Sequence, residues 1–155
     1  MERHLRTAIE LARRSREKGN HPFGAVLVDE DGNVVLEAEN TVHAGDHADV
    51  TGHAETNLIK EATVRFDRDF LGRCTIYAST EPCAMCAGAI YWGNVRRVVF
   101  GISEEDIRAI SDGNPDNFQI AIRAREIFER GDHKVDVSGP HLVDEARAVH
   151  DGFWR

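Results

Sequence analysis

The sequence predicts a three-layer α/β/α sandwich built on a central five-stranded mixed sheet. Three observations predict it. Apolar positions alternate between helical and strand spacing in the order α-β-β-α-β-α-β-α-β-α. The run "AVLV" at 25–28 is continuously apolar, as in a strand covered on both faces. The 155 residues carry no repeat, low-complexity tract or linker, so a single domain is expected over 1–155.

Each element has its own signal. Leu5, Ala8, Ile9 and Ala12 share one helical face, and Gly19 and Asn20 end that helix. "FGAVLVDEDGNVVLEAEN" reads as two strands around an Asp-Gly turn. A polar loop, "TVHAGDHADVTG", leads to a helix in "HAETNLIKEATVRF" with Ala54, Leu58, Ile59 and Ala62 apolar. "CTIYAST" is a third strand, and "EPCAMCAGAIYWGN" a helix with Pro82 in its first turn, where proline is tolerated. "VRRVVFG" is the fourth strand. "PDNFQIAIRAREIFERG" reads as a helix ended by Gly131. "HKVDVSG" is a short fifth strand, with Val135 and Val137 on one face, and "HLVDEARAVHDGF" a final helix.

The formal net charge of -8 argues against sequence-independent grip on nucleic acid and favours small, uncharged or cationic ligands. The first residues lack the apolar core and cleavage site of a signal peptide, and no apolar run would span a bilayer. Cytoplasm is therefore the expected location. Three cysteines cannot all pair within one chain, and a reducing compartment keeps them as thiols.

Cys83 and Cys86 stand one turn apart at a helix start, so both sulfurs can reach one point. A helix N-terminus favours the thiolate, the form that binds zinc. His53 opens the preceding helix and is the candidate third ligand; adjacent parallel strands would bring the two helix N-termini together. Three protein ligands leave a fourth position for water, as in catalytic zinc sites. Glu55, two residues on, points about 200° away from His53 on an ideal helix. It would flank the site, free to act as a general acid/base. A pair of buried or redox thiols is the plainer reading of Cys83 and Cys86, and Glu55 alone would be an ordinary helix carboxylate.

"HAE" at 53–55 followed by "PCAMC" at 82–86 resembles the zinc-dependent cytidine/deoxycytidylate deaminase superfamily. The resemblance extends over "PFGAVLV" at 22–28, Asn40 and "AGAIYW" at 87–92. It implies a cytidine deaminase-like fold, one zinc per chain, and hydrolytic deamination with Glu55 as proton shuttle. It also implies substrate contacts from Asn40, from the backbone N–H of Ala54, and from Phe23. "EPCAMCAGAIYW" is similar to bacterial guanine deaminases, which favours a free purine base, guanine to xanthine plus ammonia, with Trp92 as an aromatic wall. The same likeness implies an acidic reader of the purine after the fourth strand, with Asp112 and Asp116 as candidates beside Asn114. Cytosine or another pyrimidine base, guanosine and tRNA adenosine are the alternative substrates. The resemblance and the apolar run after Cys86 imply a homodimer, with no nucleic acid and no membrane partner. Phe153 and Trp154 are candidate caps of the site.

Plainer roles compete at several positions. Trp92 and Phe23 read equally well as core or interface, and Asn40 as a turn residue. Cys74 reads as core. His43, Asp46, His47 and Asp49 read as solvated loop residues rather than a second metal site.

Overall fold

The computed structural model describes residues 1–155. The elements, in order, are α1 (Glu2–Glu17), β1 (Gly24–Val28), β2 (Val34–Glu39), α2 (Ala54–Arg65), α3 (Arg68–Gly72) and β3 (Thr75–Thr80). There follow α4 (Ala84–Trp92), β4 (Arg97–Ile102), α5 (Glu104–Ile110), α6 (Ala124–Glu129), β5 (Asp136–Ser138) and α7 (Val143–Ala148). The five strands form one mixed sheet in the order β2-β1-β3-β4-β5. β1 runs antiparallel to both neighbours, while β3, β4 and β5 are parallel.

Strand alternation divides the core in two. Ala25, Leu27, Ile76 and Val98 face one way and pack with Ala54, Leu58 and Ile59 of α2, Ala87 and Ile90 of α4, and Phe128 of α6. Val26, Val28, Tyr77 and Val99 face the other way, against Leu5, Ala8 and Leu11 of α1, Ile107 of α5 and Ala146 of α7. All five residues of β1 are buried because both of its faces are covered. In β2, at the sheet edge, only Leu36 is fully buried.

α1 lies very close to the start of β1. A Cβ on Gly24 would sit 2.3 Å from the carbonyl oxygen of Ala8 and 2.6 Å from the backbone nitrogen of Ala12. At the other end of the contact, the Ser15 hydroxyl lies 2.7 Å from the His21 carbonyl oxygen and 3.0 Å from that of Asn40. α1 thus fixes the backbone on both sides of the β1 entrance.

Four details differ from the sequence expectation. Pro82 precedes the N-cap, Cys83, rather than lying within the first turn of α4. The helix expected over 115–131 forms only over Ala124–Glu129. The Ala124 N–H is held by Glu81 Oε2 at 2.9 Å, which fixes the start of α6, and upstream Phe118 and Ile120 are exposed with no face to bury. α3 and α5 were not predicted: they are five and seven residues long, too short for a periodic pattern. Their signals are caps, Asp67 accepting from the Phe70 N–H and Ser103 from the Asp106 N–H. Finally, the strands leading to α2 and α4 are not adjacent. β2 and β3 run the same way but flank β1, and α2 and α4 pack together across that gap.

Gly24→Ala is expected to destabilise the protein by about 1–3 kcal/mol, since the added methyl meets α1 backbone that cannot swing aside. Urea unfolding measures it. Unchanged stability would contradict the close α1–β1 approach.

Candidate metal and catalytic site

One end of the sheet collects the chemistry. Because β1 is antiparallel to its neighbours, its first residue, Gly24, pairs with Glu39 near the end of β2, and Ala25 pairs with Ala78 near the end of β3. Phe23, Asn40 and the segment 80–83 therefore leave the sheet on the same side, where α2 and α4 begin.

His53 and Cys83 are the N-caps of α2 and α4, both with extended backbone. His53 Nδ1 lies 3.6 Å from Cys83 Sγ and 3.4 Å from Cys86 Sγ. Tetrahedral zinc with ordinary Zn–N and Zn–S bonds would separate nitrogen and sulfur by ~3.5 Å. The three side chains form a group of metal-type donors at that spacing. A thiol pair with a purely packing role would not need an imidazole nitrogen at this distance from both sulfurs.

The protons are arranged accordingly. Hydrogen bonds from Cys86 and His53 pull the Cys83 thiol down to about 4. Sharing with Cys83, and burial, push Cys86 upward. Burial draws the His53 pKa down, but the Cys83 hydrogen bond and the Glu55 charge outweigh it and leave a net rise. A metal ion entering the group would displace these protons.

Glu55 lies in the first turn of α2 and is only 7% exposed. Burial, and then the charge of Cys83, hold its carboxyl at about 7 in the metal-free chain. A carboxyl that gains and loses a proton near neutrality, beside three metal donors, can work as a general acid/base. Asn40 is buried: its Oδ1 accepts from the Val42 N–H at 3.0 Å, while its Nδ2 has no partner. A buried unpaired donor is costly, so a ligand or water is its natural complement. Ala54 is the first residue of α2, so its N–H has no intrahelical acceptor.

The remaining expected residues divide. Phe23 is half-buried, with its ring 5.4 Å from His150 and 6.1 Å from Trp154. Trp154 packs 5.1 Å from His21 and donates from Nε1 to His150 Nδ1 at 3.0 Å, so the C-terminal tail folds against its own chain beside Phe23. Trp92 does not fit the expectation of a substrate wall. It is 82% exposed and ends α4, six residues beyond Cys86, so ~9 Å of helix rise separates it from the nearer cysteine. Asp112 is exposed and carries no hydrogen bond or ion pair. Asp116 instead groups with His21 and His43.

Two positions escaped the sequence reading. Glu81, buried, accepts from the Glu104 N–H and the Ala124 N–H, both at 2.9 Å, and so ties α5 and α6 to the residue just before the metal motif. Its place in "EPC" was the available signal. His21 is buried beside the tail; only its position before "PF" could have flagged it.

Comparison with known proteins gives a consistent answer. Residues 1–102 match the family described as the cytidine and deoxycytidylate deaminase zinc-binding region. The chain is 43% identical over 151 residues to a probable cytosine deaminase of Schizosaccharomyces pombe, covering 97% of this chain and 90% of the relative. It is 38% identical over 154 residues to a tRNA-specific adenosine deaminase of Bacillus subtilis, covering 99% and 88%. A solved structure of guanine deaminase from Nitrosomonas europaea superposes with TM-score 0.75 at 26% identity, covering 94% of this chain and 80% of the other.

The raised Glu55 pKa has a stability consequence in metal-free protein. Well below pH 4.5 the unfolded carboxyl keeps its proton, as the folded one does. As pH rises toward about 7 the unfolded state sheds its proton first, and folded stability falls. Above that, the full penalty of roughly 3 kcal/mol stands. Glu55→Gln is therefore expected to be more stable than wild type at pH 8, by up to that amount, and to lose the advantage near pH 4. Denaturant unfolding of both metal-free proteins across that range measures the difference, and a pH-independent difference would contradict the burial argument.

Proposed function

The chain belongs to the cytidine and deoxycytidylate deaminase zinc-binding family, and on that premise we propose that it deaminates a free aminated base, with guanine to xanthine plus ammonia as the leading reaction. Family membership makes it a zinc-dependent hydrolytic deaminase of cyclic amidines. The observation that carries the reading is Glu55, a buried carboxyl beside the His53, Cys83 and Cys86 donors. A purely structural zinc site has no use for it.

His53, Cys83 and Cys86 would hold the zinc, and two thiolates with a neutral imidazole leave the loaded site uncharged. Zinc bound there supplies a water made acidic enough to lose a proton near neutral pH. Glu55 would take one proton of the attacking water and pass it to the ring nitrogen of the amidine, then take the remaining proton of the new hydroxyl and deliver it to the departing amine. One C–N bond breaks, one C–O bond forms, and water plus substrate become the oxo base plus ammonia. Asn40 Nδ2 and the Ala54 N–H are donors for the oxygens and ring nitrogens of the base. The rings of Phe23 and Trp154 stand on the same side of the sheet and exclude water.

Cytosine is the second reading, favoured by 43% identity over almost the whole chain to a probable cytosine deaminase. The net charge of -8 weighs against tRNA. No helix is long and apolar enough to cross a membrane, and a cytoplasmic site of action is part of the proposal. So is a homodimer: Met85, Ala89 and Trp92 recur on one face of α4, with Trp92 82% and Met85 38% exposed.

Purified protein is expected to hold one zinc per chain and to release ammonia from guanine in a panel with guanosine, cytosine, adenine, ammeline and tRNA. Glu55→Gln should keep its zinc and lose at least ~100-fold in kcat. Zinc retention with full activity in that variant would remove Glu55 from the chemistry, and turnover of cytosine alone would replace guanine by the second reading. Trp92→Arg should shift the protein from dimer to monomer in sedimentation while leaving metal content unchanged; a wild type that sediments as a monomer would refute the dimer.

A further inference from the structure

Metal-type donors converge a second time, outside the catalytic group. His21 lies between α1 and β1, His43 follows β2, and Asp116 lies in the irregular segment before α6. Each brings one ligand atom within 4.8 Å of the other two. His21 is 8% exposed. Its ring is held edge-on by Trp154 at 5.1 Å, His43 at 5.3 Å and Phe153 at 5.9 Å. The two exposed donors stand on anchored backbone: the His43 N–H donates to Asn20 Oδ1, and the Asp116 N–H to Asn114 Oδ1, both at 2.8 Å. Their side chains make no other polar contact. Burial, reinforced by the charge of His43, lowers the His21 pKa, which leaves its imidazole neutral with a lone pair to offer.

We propose that His21, His43 and Asp116 bind a second divalent ion of the zinc class. Two imidazoles and one carboxylate are a common donor set for first-row divalent metals, and the solvent-facing side leaves room for water ligands. Bonds of ordinary length put such donors ~3.3 Å apart, so the group must draw in by at most about 1.5 Å. His43 and Asp116, both exposed, can do so by side-chain rotation.

The ion would join three segments around the catalytic group. One leads into Phe23, one lies between Asn40 and His53, and one carries Phe118 and Ile120 toward Ala124. His21 stands two residues before Phe23 and His43 three residues after Asn40, so both groups of donors lie at the same end of the sheet. A second ion would therefore staple these three segments beside the catalytic group and slow exchange of base and product. Zinc beyond the first equivalent is then inhibitory. This consequence rests on the deaminase reading; the binding itself does not.

The test uses full-length protein and cobalt as a visible substitute. Co2+ at His53, Cys83 and Cys86 produces an intense thiolate charge-transfer band, whereas a site of two imidazoles and a carboxylate adds only weak visible bands. Wild type is expected to take up two cobalt ions per chain by dialysis and elemental analysis, with the thiolate band saturating at one. His43→Ala should stop at one ion with the thiolate band intact, which also reports that it is folded. In the zinc form its activity at one equivalent should match wild type, and inhibition by added Zn2+ should need more than about tenfold higher metal. Uptake that stops at one ion in wild type, or a second ion retained by His43→Ala, would overturn the site. Equal zinc inhibition in both proteins would overturn the staple. Loss of the thiolate band in wild type would instead indict the first site, so the two failures are distinguishable.

Discussion

Two helix N-termini meet at one end of the sheet, and the site depends on that meeting. α2 begins at His53 and α4 at Cys83, with the imidazole 3.6 Å or less from both sulfurs. Each helix start concentrates partial positive charge. Bringing two together calls for negative charge between them, and the Cys83 thiolate answers that need, while Cys86 keeps its proton until a metal displaces it. The same field that eases this crowding also makes thiolates available as metal ligands.

The meeting depends in turn on β1. Inserted antiparallel between β2 and β3, it lets both of those strands end on the same side, and its own beginning completes the rim with Phe23. α1 presses on β1 through the gap left by Gly24, and Ser15 touches the carbonyls of His21 and Asn40. Glu81 does the same for the other side, holding the starts of α5 and α6 by two backbone N–H groups. The site keeps groups that a core would not tolerate without a ligand: the unpaired Nδ2 of Asn40 and a buried carboxyl held near neutrality. Rigid packing of the surrounding elements is what holds them in place.

Much of this was readable in the chain. "HAE" and "PCAMC" are local motifs, and each side chain's role follows from helix geometry over three or four residues. The five strands carried continuous or alternating apolar runs. What failed was either short or non-local. α3 and α5 span too few residues to show a period and are marked only by Asp67 and Ser103 caps. The segment 113–123 has apolar residues at plausible helical positions, but Phe118 and Ile120 find no surface to bury against. Trp92 shares a helix with the cysteines and a motif with a known family, yet the helix carries it to the opposite end and into solvent.

The sequence by itself determined the donor types, their local spacing and the mixed α/β class, because these depend on covalent order and on the periods of helix and strand. Only the tertiary structure decided which distant residues share space. Asp116 rather than Asp112 joins His21 and His43, the tail lies on Phe23, and β1 separates the strands that feed the two helix starts. Those outcomes follow from sheet order and from which faces were left to be buried, and no local pattern in the chain encodes either.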